Sequence, residues 1–155
     1  MQPYAAILRS LAERAGLPSI KQIAGLPGTK SVYRITLHYP DQHASDVIGT
    51  VRVSRTESSV LQLVYYGHFN NKPLIYPLDD ARLNPFTQRL SKLNFDKLFD
   101  QTDIPYYGVD LCMMERGSGG FLRSVIFAPK HTQGIYTELF DTIQTYLPEM
   151  MREIK

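Results

Sequence analysis

The chain has little cysteine: Cys112 is the only one in 155 residues. No internal disulfide can form, and no cluster of cysteine and histidine has the spacing a structural zinc site needs. A reducing compartment is the matching expectation. No uncharged apolar run approaches the roughly 18 residues of a membrane-spanning helix. The opening Met1-Gln2-Pro3-Tyr4 lacks the positively charged start of a signal peptide, and Arg9, Glu13 and Arg14 interrupt the apolar residues that follow. We therefore expect a cytoplasmic protein with no membrane partner. An excess of one charge is missing too. The 17 basic and 15 acidic residues leave a formal +2, which draws the chain as a whole neither to nucleic acid nor to anionic lipid. Phosphate-loop and dinucleotide-binding fingerprints are absent, as are internal repeats and low-complexity tracts. No cofactor is implied.

What is there is the composition of a folded domain. Apolar residues make up 43% of the chain and charged residues 21%, far from the signature of disorder. At this length one core can bury roughly 70% of the surface exposed by the unfolded chain. A single domain over residues 1–155 is expected.

Tyr4, Ile7, Leu8, Leu11 and Ala15 recur at helical spacing, with Gly16 as the stop. Pro18, Gly25, Pro27 and Gly28 then break regular structure, leaving Ser19 to Ala24 for one short turn. Next, the odd-numbered residues Tyr33, Ile35, Leu37, Val47, Val51, Val53, Leu61, Leu63 and Tyr65 are apolar. That alternation predicts three antiparallel strands with one buried face, joined by Pro40 to Ser45 and Arg55 to Ser58. Leu74 to Leu78, between prolines, reads as a short edge strand. Asn84 and Pro85 read as cap and first position of a second helix that carries Phe86, Leu90 and Leu93. Tyr106 to Arg116 and Phe121 to Ala128 form a second hairpin around Gly117-Ser118-Gly119-Gly120. Apolar residues on both of its faces predict a central place in the sheet, covered on both sides. The last helix starts at Thr132 as cap, carries Ile135, Leu139, Ile143 and Leu147, and stops at Pro148. The expected fold is α+β: an antiparallel sheet of about five strands in the order α-β-β-β-α-β-β-α, with helices packed on it.

This order of elements, over nearly the whole chain, resembles the layout of the type III secretion chaperones and their non-secretory structural relatives. The resemblance implies a homodimer that binds extended segments of a partner protein along apolar grooves.

Few residues ask for chemistry. Cys112, mid-strand among Leu111, Met113 and Met114, reads as a core thiol rather than a nucleophile. His38, His43, His68 and His131 fall at a strand end or in connections, none paired at helical i, i+4 spacing, so no metal site is expected. Asp79 and Asp80 suit a turn or cap. Asp110, a charge in an otherwise apolar strand, must reach water, a hydrogen-bond partner or a cation, such as Arg123 on the adjoining strand. The even-numbered face of the first three strands carries Arg34, Thr36, His38, Thr50, Arg52 and Gln62. In the expected register Arg34 lies opposite Arg52, a like-charge pair suited to a carboxylate, a phosphate or an acidic segment. A solvated outer face is the plainer reading of the same residues. Tyr65, Tyr66, Phe69, Tyr76, Tyr106 and Tyr107 cluster at strand ends, as a recognition surface or as core closure. Without an aromatic stacking motif, nucleic acid ranks below a protein partner.

The candidate site residues are thus Arg34, His38, Arg52, Tyr66, Tyr106 and Tyr107. The expected function is a non-enzymatic protein-interaction domain. The alternative is a small-molecule or anion-binding domain, or an enzyme, built on the Arg34/Arg52 face.

Overall fold

The computed structural model of the chain describes residues 2–104 and 108–155. Among them, six strands form one antiparallel sheet: β1 Thr29–His38, β2 Val47–Ser54, β3 Ser59–Tyr65, β4 Leu74–Leu78, β5 Leu111–Ser118 and β6 Phe121–Phe127. Across the sheet they run β4-β3-β2-β1-β5-β6. The α+β class and the antiparallel sheet agree with expectation, and the strand count rises to six because the short edge strand β4 pairs with β3. Four helices pack on the sheet: α1 Gln2–Arg14, α2 Ile20–Ala24, α3 Asp80–Lys92 and α4 Ile135–Tyr146.

The odd-numbered residues of β1, β2 and β3 are buried as their alternation predicts, in a core shared with Leu83, Phe86 and Leu90 of α3 and Leu139 and Ile143 of α4. Tyr33 and Phe86 meet edge to face there, ring centroids 5.4 Å apart. The even-numbered face is covered as well. Leu8 of α1 packs on Met113 and Ile126, Leu11 and Ala12 pack on Ile48 and Val64, and Ile20 and Ile23 of α2 pack on Val32. The molecule is a three-layer sandwich. The polar residues of that face hide these apolar neighbours, but α1 has an apolar stripe that must be buried somewhere.

Four local expectations change. α3 begins at Asp80, not after Asn84, because the Asp79 carboxylate accepts the Arg82 N–H at 3.0 Å and caps the helix, leaving Pro85 inside it. α4 begins at Ile135 with Gly134, at φ 57°, ahead of it; Thr132 instead bonds Thr137 side chain to side chain. The second hairpin turns on Gly119-Gly120 alone, since Ser118 pairs with Phe121. Gly117 lies within the strand for another reason: a Cβ there would sit 2.8 Å from Ile20 Cγ2, so only glycine lets α2 approach this closely. Finally β5 is internal, as expected, but β6 lies at the edge of the sheet.

No helix among the described residues is long and apolar enough to cross a membrane.

Candidate functional site

The two arginines picked from the sequence are not opposite one another, and both are engaged by neighbouring groups, Arg34 buried and Arg52 half-buried. Arg34 pairs with Thr50 and Arg52 with Val32, two residues out of the expected register. Arg34 is 2% exposed beneath α1 and α2. Its Nε donates to Thr50 Oγ1 at 3.0 Å and its Nη1 to the Pro18 carbonyl at 2.8 Å. Glu115 lies directly across from it on β5 and is also held by Arg9, 3.7 Å away. Burial pushes the Glu115 carboxyl above the usual carboxylate range, against the pull of both guanidinium groups. Arg52 bonds Thr29 Oγ1 at 2.6 Å and the Pro27 carbonyl at 3.0 Å. Both side chains hold the α1–β1 connection onto the sheet.

His38 and Tyr66 do come together. A cavity of about 530 Å³ opens where β1 ends and β2 begins, lined among others by Arg14, His38, Asp46, Tyr66 and His68. Asp46 Oδ2 lies 3.0 Å from His38 Nδ1, and its Oδ1 accepts the Tyr39 N–H at 2.8 Å. The imidazole is therefore oriented by a carboxylate that is itself fixed by the backbone. Arg14 sits 5.5 Å from the centre of the Tyr66 ring. The Tyr39 hydroxyl is pushed up to about 12, first by burial and then by Glu153 and Asp110, which keeps it a neutral lining group. Asp46 was missed in the sequence although the signal existed: once Leu37 faces Val47, the next positions outward are His38 and Asp46. Tyr106 and Tyr107 lie outside the described residues.

A second feature has no counterpart in the sequence reading. In β6 the backbone of even-numbered residues points away from β5, to the outside of the sheet. Ile126 has both groups engaged, its N–H on Asp100 Oδ1 at 2.8 Å and its C=O taken by the Gln101 N–H at 2.9 Å. Gln101, 1% exposed, also takes the Ala128 N–H on its side-chain oxygen at 2.8 Å and donates to the His131 carbonyl at 2.7 Å. The residues before Ile126 lack such cover: Leu122 and Ser124 have no outward backbone partner among the described residues. Exposed Phe99, Phe121 and Leu122 frame this stretch. Arg123 reaches over the Phe99 ring, 5.3 Å from its centre, and donates to the Leu98 carbonyl. Arg123 is thus not the partner expected for Asp110, which pairs with Lys130 at 3.2 Å instead. The opposite edge of the sheet, β4, carries Pro77, which lacks a donor and blunts it.

Cys112 is fully buried, and burial pushes its thiol far up, as suits a core residue. Of the histidines, His43 is the one that meets acids on more than one element. Ligand atoms of Asp41, His43 and Asp110 lie within 4.8 Å of one another and have the donor types a divalent cation takes. In the structure these groups neutralise each other: Asp41 holds His43 at 2.5 Å and Lys130 holds Asp110. No known family model matches the chain, and no curated protein is detectably similar to it in sequence.

Proposed function

We propose that the chain is a protein-interaction domain that receives an extended segment of another protein along the outer edge of β6. The observation that carries this reading is the unpaired backbone at Leu122 and Ser124, set among exposed Phe99, Phe121 and Leu122. An added strand satisfies the open N–H and C=O groups, while the apolar side chains on either side of the strand provide the contact area. The resemblance of the expected order of elements to the secretion chaperones supports a protein partner. Pairing with a second copy is the other use of such an edge. The register that employs both Leu122 and Ser124 then sets two Arg123 side chains opposite each other, which disfavours it.

Leu122→Pro tests the reading, because proline removes the outward donor and an edge strand tolerates it. Peptides selected from a random display library on the wild-type chain are expected to lose at least about tenfold in affinity for this variant, with its circular dichroism unchanged. Selected peptides that bind both proteins equally well would overturn the reading.

A second reading has its own observation, the His38–Asp46 pair beside the 530 Å³ cavity with Arg14 and His68. It moves the anion-binding alternative from the Arg34/Arg52 face to this cavity. Titration with inorganic phosphate is expected to shift the imidazole resonances of His38 and His68, and Arg14→Ala to abolish the shifts. Unmoved resonances in the wild type would dismiss it.

A further inference from the structure

The β6 edge lies near a basic concavity. Tyr33, Arg116 and Arg123 stand side by side across β1, β5 and β6, because Tyr33 pairs with Arg116 and Arg116 with Arg123. This row faces the α3 side of the sheet and runs from its middle to the open edge. A cavity of about 650 Å³ lies over its inner end, with Lys30, Lys92, Lys97 and Arg116 in its wall and Asp96 as the one acidic residue there. Asp96 is already engaged by Arg116 at 2.8 Å. Nearer the edge, the buried Nε of Arg123 has no hydrogen-bond partner among the described residues. A chain that is only +2 overall thus gathers cations along a row that ends, at Arg123, on the strand whose outer backbone is open.

We infer that the segment docking on β6 is an acidic strand with carboxylates at alternate positions and apolar side chains between them. The inference rests on the reading that β6 receives a strand, and adds the partner's chemistry. Successive side chains of an added strand point to opposite faces of the sheet. On one face they meet Arg123 and, one strand further in, Arg116, where carboxylates make charge-assisted hydrogen bonds. On the other they meet exposed Leu122, where apolar side chains belong, and beside it Ser124, whose hydroxyl accepts from Arg9 at 3.1 Å. Single-stranded nucleic acid suits the surface less well. It has no strand backbone to offer Leu122 and Ser124, and the Phe99 and Phe121 rings on which bases would stack each have one side covered by a guanidinium, that of Arg123 at 5.3 Å and that of Arg116 at 5.7 Å.

The test uses two fluorescent twelve-residue peptides, one repeating Glu-Val-Glu-Thr and one with every Glu replaced by Gln, with anisotropy measured on the full chain. The Glu peptide is expected to bind at least about tenfold tighter, with the gap narrowing at high salt. The double variant R116Q/R123Q is expected to close the gap, and R116K/R123K to keep most of it, which separates lost charge from lost structure. Equal affinity for the two peptides would overturn the acidic inference and leave the edge reading standing. Binding of neither peptide would overturn the inference, while peptides from the display selection that still need Leu122 would keep the edge reading alive. A single-stranded oligonucleotide that binds tighter than the Glu peptide and displaces it would overturn the inference in favour of nucleic acid.

Discussion

Arg34→Met is expected to lower the free energy of unfolding by about 3 to 5 kcal/mol, because two hydrogen bonds from a buried guanidinium are lost and buried Glu115 loses the cation across the ladder. Methionine is long enough to fill much of the space but has no donors. Thr50 Oγ1 and the Pro18 carbonyl each lose a hydrogen bond beneath α1 and α2. Glu115, directly across the β1–β5 ladder, keeps only Arg9 at 3.7 Å as a cation. The loss is expected to depend on pH, with a definite sign. The Glu115 carboxyl is raised from its ordinary value of 4.5 by burial and lowered by Arg34. Removing Arg34 raises it further, so the native state of the variant holds this proton more tightly than the unfolded state over a wider range. Stability from this group is then greatest below about 4.5 and falls as pH rises through the native-state value. Urea unfolding at pH 5 and pH 8 should show the larger loss at pH 8, and adding Glu115→Gln should recover part of it. A loss below about 1 kcal/mol, equal at both pH values, would show that the buried charges are not coupled.

The next largest effect is expected at Gln101. Gln101→Leu keeps the backbone bond to Ile126 but leaves the Ala128 N–H and the His131 carbonyl without their partners. The Ala128 N–H is left buried and unpaired whereas His131 is exposed, so at about 1 to 3 kcal/mol for a buried unpaired group the fold should lose about 1 to 3 kcal/mol. There is a second consequence, because the segment around Gln101 is what closes the far half of the β6 edge. Loosening it lengthens the open edge from Leu122 toward Ala128, and long open edges self-associate. The variant should therefore form dimers or larger species in sedimentation at concentrations where the wild type does not, and adding Leu122→Pro should reduce them. A variant as stable as the wild type, sedimenting identically, would show that Gln101 neither anchors nor covers β6.

Much of the scaffold was legible because it depends on short-range patterns. Odd-numbered apolar residues in β1 to β3 specify one buried face, since side chains alternate along a strand whatever lies around it. The amphipathic stripe of α1 and the glycine pair at the second hairpin are equally local. Where two local signals competed, the sequence reading chose the wrong one. Asn84-Pro85 looks like a helix start, but Asp79 caps four residues of helix before it. Thr132 looks like a cap, but the helix begins beyond Gly134.

The candidate sites were much less legible, because each depends on which distant segments meet. Arg34, His38 and Arg52 could be placed on one face of three strands from periodicity alone. Whether that face meets water or helices depends on where α1 packs, and no alternation pattern carries this. Burial of Arg34, the pairing of His38 with Asp46, and the row of Tyr33, Arg116 and Arg123 all follow from sheet register and helix docking. Cover of the β6 edge by Gln101 is more remote still, since that residue lies in an irregular stretch with no periodicity to read. The sequence by itself determined the α+β class, the core positions of β1 to β3 and the positions of the main breaks, because each follows from backbone preference and the two-residue or 3.6-residue repeat. Only the tertiary structure decided which polar side chains are buried and which stretch of strand stays open, because both depend on contacts between residues far apart along the chain.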